Sequence, residues 1–163
     1  MAWNNSSKLP RRGILAGFLC LPSLLLAQGS GYLTVGQPEK AAGKRHASLQ
    51  VKIPVSVRAG YHVNSNMPRE EYLIPLKLTW TSPGALEPEA VLYPAPSIEK
   101  YAFADQPLSV FSGNFDLVAH FKVKGDAPAG PGVTTGKLRY QACSDRACYA
   151  PRTVDVTVLY QIQ

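Results

Sequence analysis

Two cysteines, Cys143 and Cys148, stand five positions apart in Tyr-Gln-Ala-Cys-Ser-Asp-Arg-Ala-Cys-Tyr-Ala-Pro, residues 140–151. Thiols at this spacing, with a polar turn-like tetrapeptide between them, can close a disulfide and reopen it by exchange. Exchange needs a thiolate that attacks or leaves. Arg146, two residues before Cys148, would favour the thiolate, and Asp145 would oppose it. As a staple the pair is poorly placed. Closing a loop of about six residues contributes roughly 2 kcal/mol, against nearly 5 for a loop of about 100. No long-range cysteine pair tying two sheets across a core is available. The spacing alone leaves an inert hairpin disulfide and a redox pair both open.

Other chemistry is weaker. GVTTGK, residues 132–137, has the wrong glycine spacing for a phosphate loop, and Leu138 stands where Ser or Thr would coordinate magnesium. His46, His62 and His120 are scattered, and His120 falls on the polar side of its segment, where solvation is expected. A metal site from Cys143, Cys148, His62 and Met67 lacks the paired short spacings of closed sites, so no metal is expected. No Ser-His-Asp arrangement can be inferred.

The compartment decides what the cysteines mean. Residues 1–12 carry Lys8, Arg11 and Arg12 and no acid, and residues 13–27, GILAGFLCLPSLLLA, carry no charge. A basic start, a short apolar run and small residues after it predict a cleaved export signal over 1–27. The run is shorter than the roughly 20 residues of a membrane span. Cys20 would leave with the signal. Its removal lowers the formal net charge from +6 to +3. No basic run with interleaved aromatics is present, so nucleic acid is not an expected partner. Two cysteines then remain in a compartment where disulfides persist. About 135 residues suffice for one domain.

The elements that must position the pair are strands. Residues 28–47 show no apolar periodicity and are expected to form a flexible lead-in to a domain over 48–163. From Ser48 onward, Leu49, Val51, Ile53, Val55 and Val57 alternate with polar residues. The same period recurs in Tyr72 to Trp80, Phe115 to Val123, Leu138 to Ala142 and Val154 to Ile162. Pro- and Gly-rich turns separate these runs, and no helical stripe appears. The pattern predicts an all-β, antiparallel sandwich. Pro54 and Pro75 predict edges or bulges. By parity, Leu138, Tyr140 and Ala142 face inward and Cys143 faces outward.

The run Tyr140-Gln141-Ala142-Cys143, four residues, then Cys148-Tyr149 and Pro151 resembles the active-site hairpin of the N-terminal periplasmic domain of the DsbD thiol–disulfide interchange family. GYHVNSNMPREEYLIPLKLTW, residues 60–80, is similar to the stretch that leads into a central strand there. The resemblance runs from about residue 48 to the C-terminus.

It implies an immunoglobulin-like sandwich with no bound cofactor, exported to the periplasm and acting as a monomer. It implies a protein-disulfide reductase type of activity, with Cys143 and Cys148 as the catalytic pair. Electrons would come from a membrane thiol-electron carrier of the DsbD or CcdA type, or from a thioredoxin-like donor. Thioredoxin-like and other periplasmic disulfide proteins would be the partners. Cys148 would form the mixed disulfide and Cys143 would resolve it. An aromatic cap loop would correspond to EKYAFADQP, residues 99–107, with Tyr101 and Phe103 as its candidates. Tyr61 would line the same pocket, and His62 and Asn64 are lesser candidates.

Two features depart from the family pattern. Four residues rather than five separate the cysteines, and no membrane carrier or thioredoxin-like module follows before Gln163. The electron donor is therefore expected to be a separate polypeptide. The competing reading is a binding or structural sandwich with an inert hairpin disulfide.

Overall fold

The computed structural model describes Met1 and residues 31–163, so the expected export signal and Cys20 lie outside the described residues. Twelve strands follow in order: β1 Leu33–Val35, β2 Ala41–Gly43, β3 Ser48–Val57, β4 His62–Asn64, β5 Lys77–Ser82 and β6 Leu86–Leu92, then β7 Ser97–Glu99, β8 Leu108–Ser112, β9 Asn114–Val123, β10 Gly130–Tyr140, β11 Ala142–Cys143 and β12 Arg152–Ile162. Among the described residues there is no helix. The chain is an immunoglobulin-like β-sandwich, as the alternation predicts.

Three four-stranded sheets are present, ordered β1-β3-β9-β6, β2-β12-β10-β5 and β11-β4-β8-β7. Every pairing is antiparallel except β2 with β12, which runs parallel through Tyr160↔Ala41 to Ile162↔Gly43. The first two sheets form the main sandwich. Period two places Leu49, Val51, Ile53, Val55 and Val57 of β3 on one inner face with Leu117, Ala119, Phe121 and Val123 of β9. Leu138 and Tyr140 of β10 and Val156, Val158, Tyr160 and Ile162 of β12 join them in one core. The third sheet carries the site, and Val63 and Phe111 tie it to this core.

Four sequence expectations need correction. The segment 28–47 is not a flexible lead-in where it is described, because β1 and β2 each add to a sheet edge. Strands of three residues are too short to show a period, and their stability comes from the partner strand.

Pro54 is on neither an edge nor a bulge. β3 lies between β1 and β9, and β1 has already ended where Pro54 sits. The Pro54 carbonyl accepts from the Gly36 amide on that side (2.8 Å), so the ring nitrogen points the same way and β9 misses no donor.

Tyr72 to Leu76 is not strand. Tyr72 lies 70% exposed in a turn. The Ile74 amide donates to the Gln141 side chain (3.1 Å) instead of a ladder. Finally, His120 is half-buried rather than solvated, and its Nε2 has no partner.

Candidate functional site

β10 pairs with β12 and β5 up to Tyr140↔Arg152. Two residues later the chain has changed sheets: β11 pairs with β4 through Ala142↔Val63 and Cys143↔His62. Gln141 is the joint. Its Oε1 accepts from Asn64 Nδ2 (3.0 Å) and from the Ile74 amide (3.1 Å), and its Nε2 donates to the Tyr149 carbonyl (3.2 Å). Asn64, fully buried, also donates to the Ile74 carbonyl (3.0 Å). Amides suit this position because each offers both donors and acceptors.

The hairpin beyond Gln141 closes on itself. The Tyr149 amide donates to the Ala142 carbonyl (2.8 Å), and the Ser144 amide to the Ala147 carbonyl (2.9 Å). Ser144 Oγ accepts from the Arg146 and Ala147 amides (3.3 and 3.4 Å), the local bonding that favours serine in turns. Cys143 and Cys148 face each other and are joined by a disulfide, their Cα atoms 3.9 Å apart.

Cys143 does not face outward. It is 0% exposed, while Cys148 is half-buried. Parity assumes that one face of a strand meets solvent. By changing sheets after Tyr140, the chain brings β11 under a loop on the face that parity assigned to water.

That loop is the β7–β8 connection, which contains both expected cap residues. His62, opposite Cys143, is stacked on Tyr101 (ring centroids 4.0 Å, interplanar 17°), and Phe103 stacks on Tyr101 from outside (5.6 Å). The Tyr101 hydroxyl donates to Glu99 Oε2 (2.6 Å). Burial first, then the Glu99 carboxylate, pushes the phenol's pKa up, so it stays protonated. Tyr101 also packs on a small satellite core of Leu73, Ala104, Leu108 and Val110. Lys100 Nζ donates to the Ala104 carbonyl (2.6 Å) and to that of Asp105, which ties the loop shut.

Tyr61 does not join this cap. Gly60, with φ +81°, permits the turn in which the Tyr61 amide donates to the Arg58 carbonyl (3.0 Å). Tyr61, just before β4, and His62 then pack against different aromatic partners. Tyr61 meets Tyr32 (4.7 Å), which stacks on Tyr149 (4.7 Å), the residue after Cys148. Arg152 lies over Tyr32 (5.0 Å) and Arg58 over Tyr61 (5.8 Å). The hairpin is thus flanked by two separate aromatic groups.

Asp145 and Arg146 lie at the hairpin tip with side chains 82% and 90% exposed, 4.0 Å from each other. Water screens both, and each offsets the other's field at the sulfurs. Tyr32 and Gln141 escaped the sequence reading. Tyr32 fell in a segment without periodicity, and only the quoted motif hinted at Gln141. Among the described residues, no group of three or more His, Cys, Asp or Glu could hold a metal ion.

The cap geometry predicts a measurable effect. Tyr101→Ala removes the ring over the face shared by His62 and Cys143, so alkylation of the reduced cysteines should speed up several-fold. Phe103→Ala, which strips only the outer ring, should do less. The main sandwich stays folded in both, because Tyr101 packs on the satellite core. Unchanged thiol reactivity in both variants would show that these rings do not gate the sulfurs.

Comparison with known proteins adds three findings. The family profile described as "Thiol:disulfide interchange protein DsbD, N-terminal" matches residues 34–159. The fold is similar to the N-terminal periplasmic domain of ScsB from Proteus mirabilis, with a TM-score of 0.53 at 15% identity, covering 78% of this chain and 45% of that one. This chain therefore spans less than half the length of that structure. The DsbD N-terminal domain of Neisseria meningitidis in its reduced form aligns with a TM-score of 0.44 at 18% identity, covering 73% of this chain and 86% of that one. No curated protein sequence matched.

Proposed function

The chain belongs to the family of DsbD N-terminal domains, and from that premise we propose that it is an exported thiol–disulfide exchange domain. Cys143 and Cys148 cycle between dithiol and disulfide. They pass two electrons from a membrane or thioredoxin-like donor to periplasmic disulfide proteins, and the domain needs no bound cofactor. Cys148 meets the partner and Cys143 resolves the mixed disulfide. The Tyr101–Phe103 cap shields the pair between encounters, and the Tyr32–Tyr61–Tyr149 group lies beside the sulfur that is reached.

The observation that carries this reading is the asymmetry of the pair. One sulfur-bearing residue is half-buried and the other is fully buried, with a separate aromatic group on each side of the hairpin. A staple has no need of such an arrangement, since its short loop contributes little stability.

Equilibration with glutathione or thioredoxin redox buffers decides between exchange and an inert link. An exchange-competent pair should show a reduction potential above about −300 mV, and a structural disulfide should fall below it. A value well below that mark would favour the inert sandwich module.

A further inference from the structure

His62 on β4 is directly opposite Cys143 on β11. Directly opposed residues of an antiparallel pair project from the same face, with Cβ atoms about 4.5–5.5 Å apart. His62 is 3% exposed, and its Nε2 is buried with no hydrogen-bond partner. A buried polar nitrogen left unpaired is costly, and such groups in native structures often have a chemical use. The ring is also held in place: Tyr101 stacks flat against it, and Glu99 holds the Tyr101 hydroxyl. The exchange chemistry has so far left this imidazole unused.

We propose that Nε2 of His62 accepts the proton of the Cys143 thiol when Cys143 resolves the mixed disulfide carried by Cys148. The step rests on the exchange reading and on the roles given to the two cysteines. With a partner bonded to Cys148, the Cys143 S–H gives its proton to His62. The Cys143 thiolate attacks Cys148 Sγ. A Cys143–Cys148 bond forms as the Cys148–partner bond breaks. The partner sulfur leaves as a thiolate and takes the proton back from the imidazolium. Over the two exchanges this dithiol loses two electrons and the partner's disulfide becomes a dithiol.

A base is needed at this sulfur more than at the other. Cys143 is fully buried, and burial resists thiolate formation. Cys148 is only half-buried and so partly open to water. His62 is suited to the task, because burial lowers its pKa below the ordinary 6.5, with Glu99 pulling the other way, and so leaves it neutral at pH 7. The titratable groups around it are Cys143 from β11, Tyr101 from the β7–β8 loop and Glu99 from β7. β8 opposes it with Ser112, which does not titrate. Tyr101 stays protonated and Glu99 is already committed to it, so neither competes for the thiol proton.

The test uses the reduced full domain and an aromatic disulfide reagent whose thiol product is coloured. The first burst of colour reports attack on the reagent, and the second reports resolution by Cys143. His62→Phe keeps a flat ring against Tyr101 but has no nitrogen. His62→Gln restores a polar group without a base. Both should slow the second burst at least about tenfold near pH 7. The gap should narrow above the ordinary thiol range near about 8.5, as the buried thiol begins to ionise without a base.

An unchanged second burst overturns the proposal. So does slowing by one constant factor at every pH, which would make His62 a spacer. Should both variants unfold, the wild type still decides. Its second burst must level off by about pH 7, and a rise continuing through the ordinary thiol range near 8.5 overturns the proposal. No first burst at all would sink the exchange reading itself.

Discussion

Cys143→Ser should hold a thioredoxin-like partner as a stable mixed disulfide, whereas Cys148→Ser should hold almost none. On the proposed roles, the first variant keeps the sulfur that meets a partner and removes the one that would release it. The second keeps only a sulfur that is fully buried, beneath the face covered by His62 and Tyr101. Thiol–disulfide exchange proceeds by approach of one sulfur along the line of the bond it breaks, so access matters as much as ionisation. Both variants should lose all turnover with a disulfide substrate, so the trapped species rather than the rate separates the roles. A non-reducing gel after mixing each variant with an oxidised thioredoxin-like protein reads it directly. Equal trapping would remove the role assignment. No trapping by either would count against exchange.

The second large effect is on stability, and it should come from the scaffold rather than the cysteines. Phe121 is 0% exposed and packs tilted against Trp80 (ring centroids 4.8 Å, interplanar 59°) near the end of β9. Phe121→Ala should cost about 3–5 kcal/mol, a large share of the roughly 5–15 kcal/mol of a typical domain. Reduction of Cys143–Cys148 should cost about 2 kcal/mol or less, because the bond constrains only a short loop that strand pairing already closes. Thermal melts of the oxidised wild type, the reduced wild type and Phe121→Ala compare them. The reduced domain should remain folded at room temperature, as the proposed exchange between dithiol and disulfide requires. A reduced form that unfolds, with Phe121→Ala barely affected, would reverse the ranking and favour the staple reading.

Much of the scaffold was legible in the residues because a sheet with one wet face writes its fold as alternation. Leu49 to Val57 and Phe115 to Val123 predict β3 and β9, and the register pairs them residue by residue, Leu49 with Phe121 and Ile53 with Leu117. The hairpin cysteines were legible too, as a short polar turn between two strands. Alternation fails where a strand is too short or has no wet face. β1 and β2 have three residues each and carry no readable period. At Ala142–Cys143 the chain passes from one sheet to another, and both residues are buried, so parity put Cys143 on the wrong side.

The residues themselves determined that a cysteine pair lies at the end of a β-hairpin in an alternating all-β domain. They also contained the aromatic residues Tyr101 and Phe103 in the segment that becomes the β7–β8 loop. Which sulfur is buried, and by what, was decided only in three dimensions. His62 and Cys143 are 81 positions apart in the chain, and one register of β4 on β11 makes them neighbours. Tyr61, next to His62 in sequence but in the turn before β4, packs instead with Tyr32 and Tyr149. Gln141 gains its role because Asn64, Ile74 and Tyr149, from three separate segments, converge on one amide. Local pattern records which face a residue prefers. What meets that face depends on strand pairing across long stretches of chain, and no local window contains it.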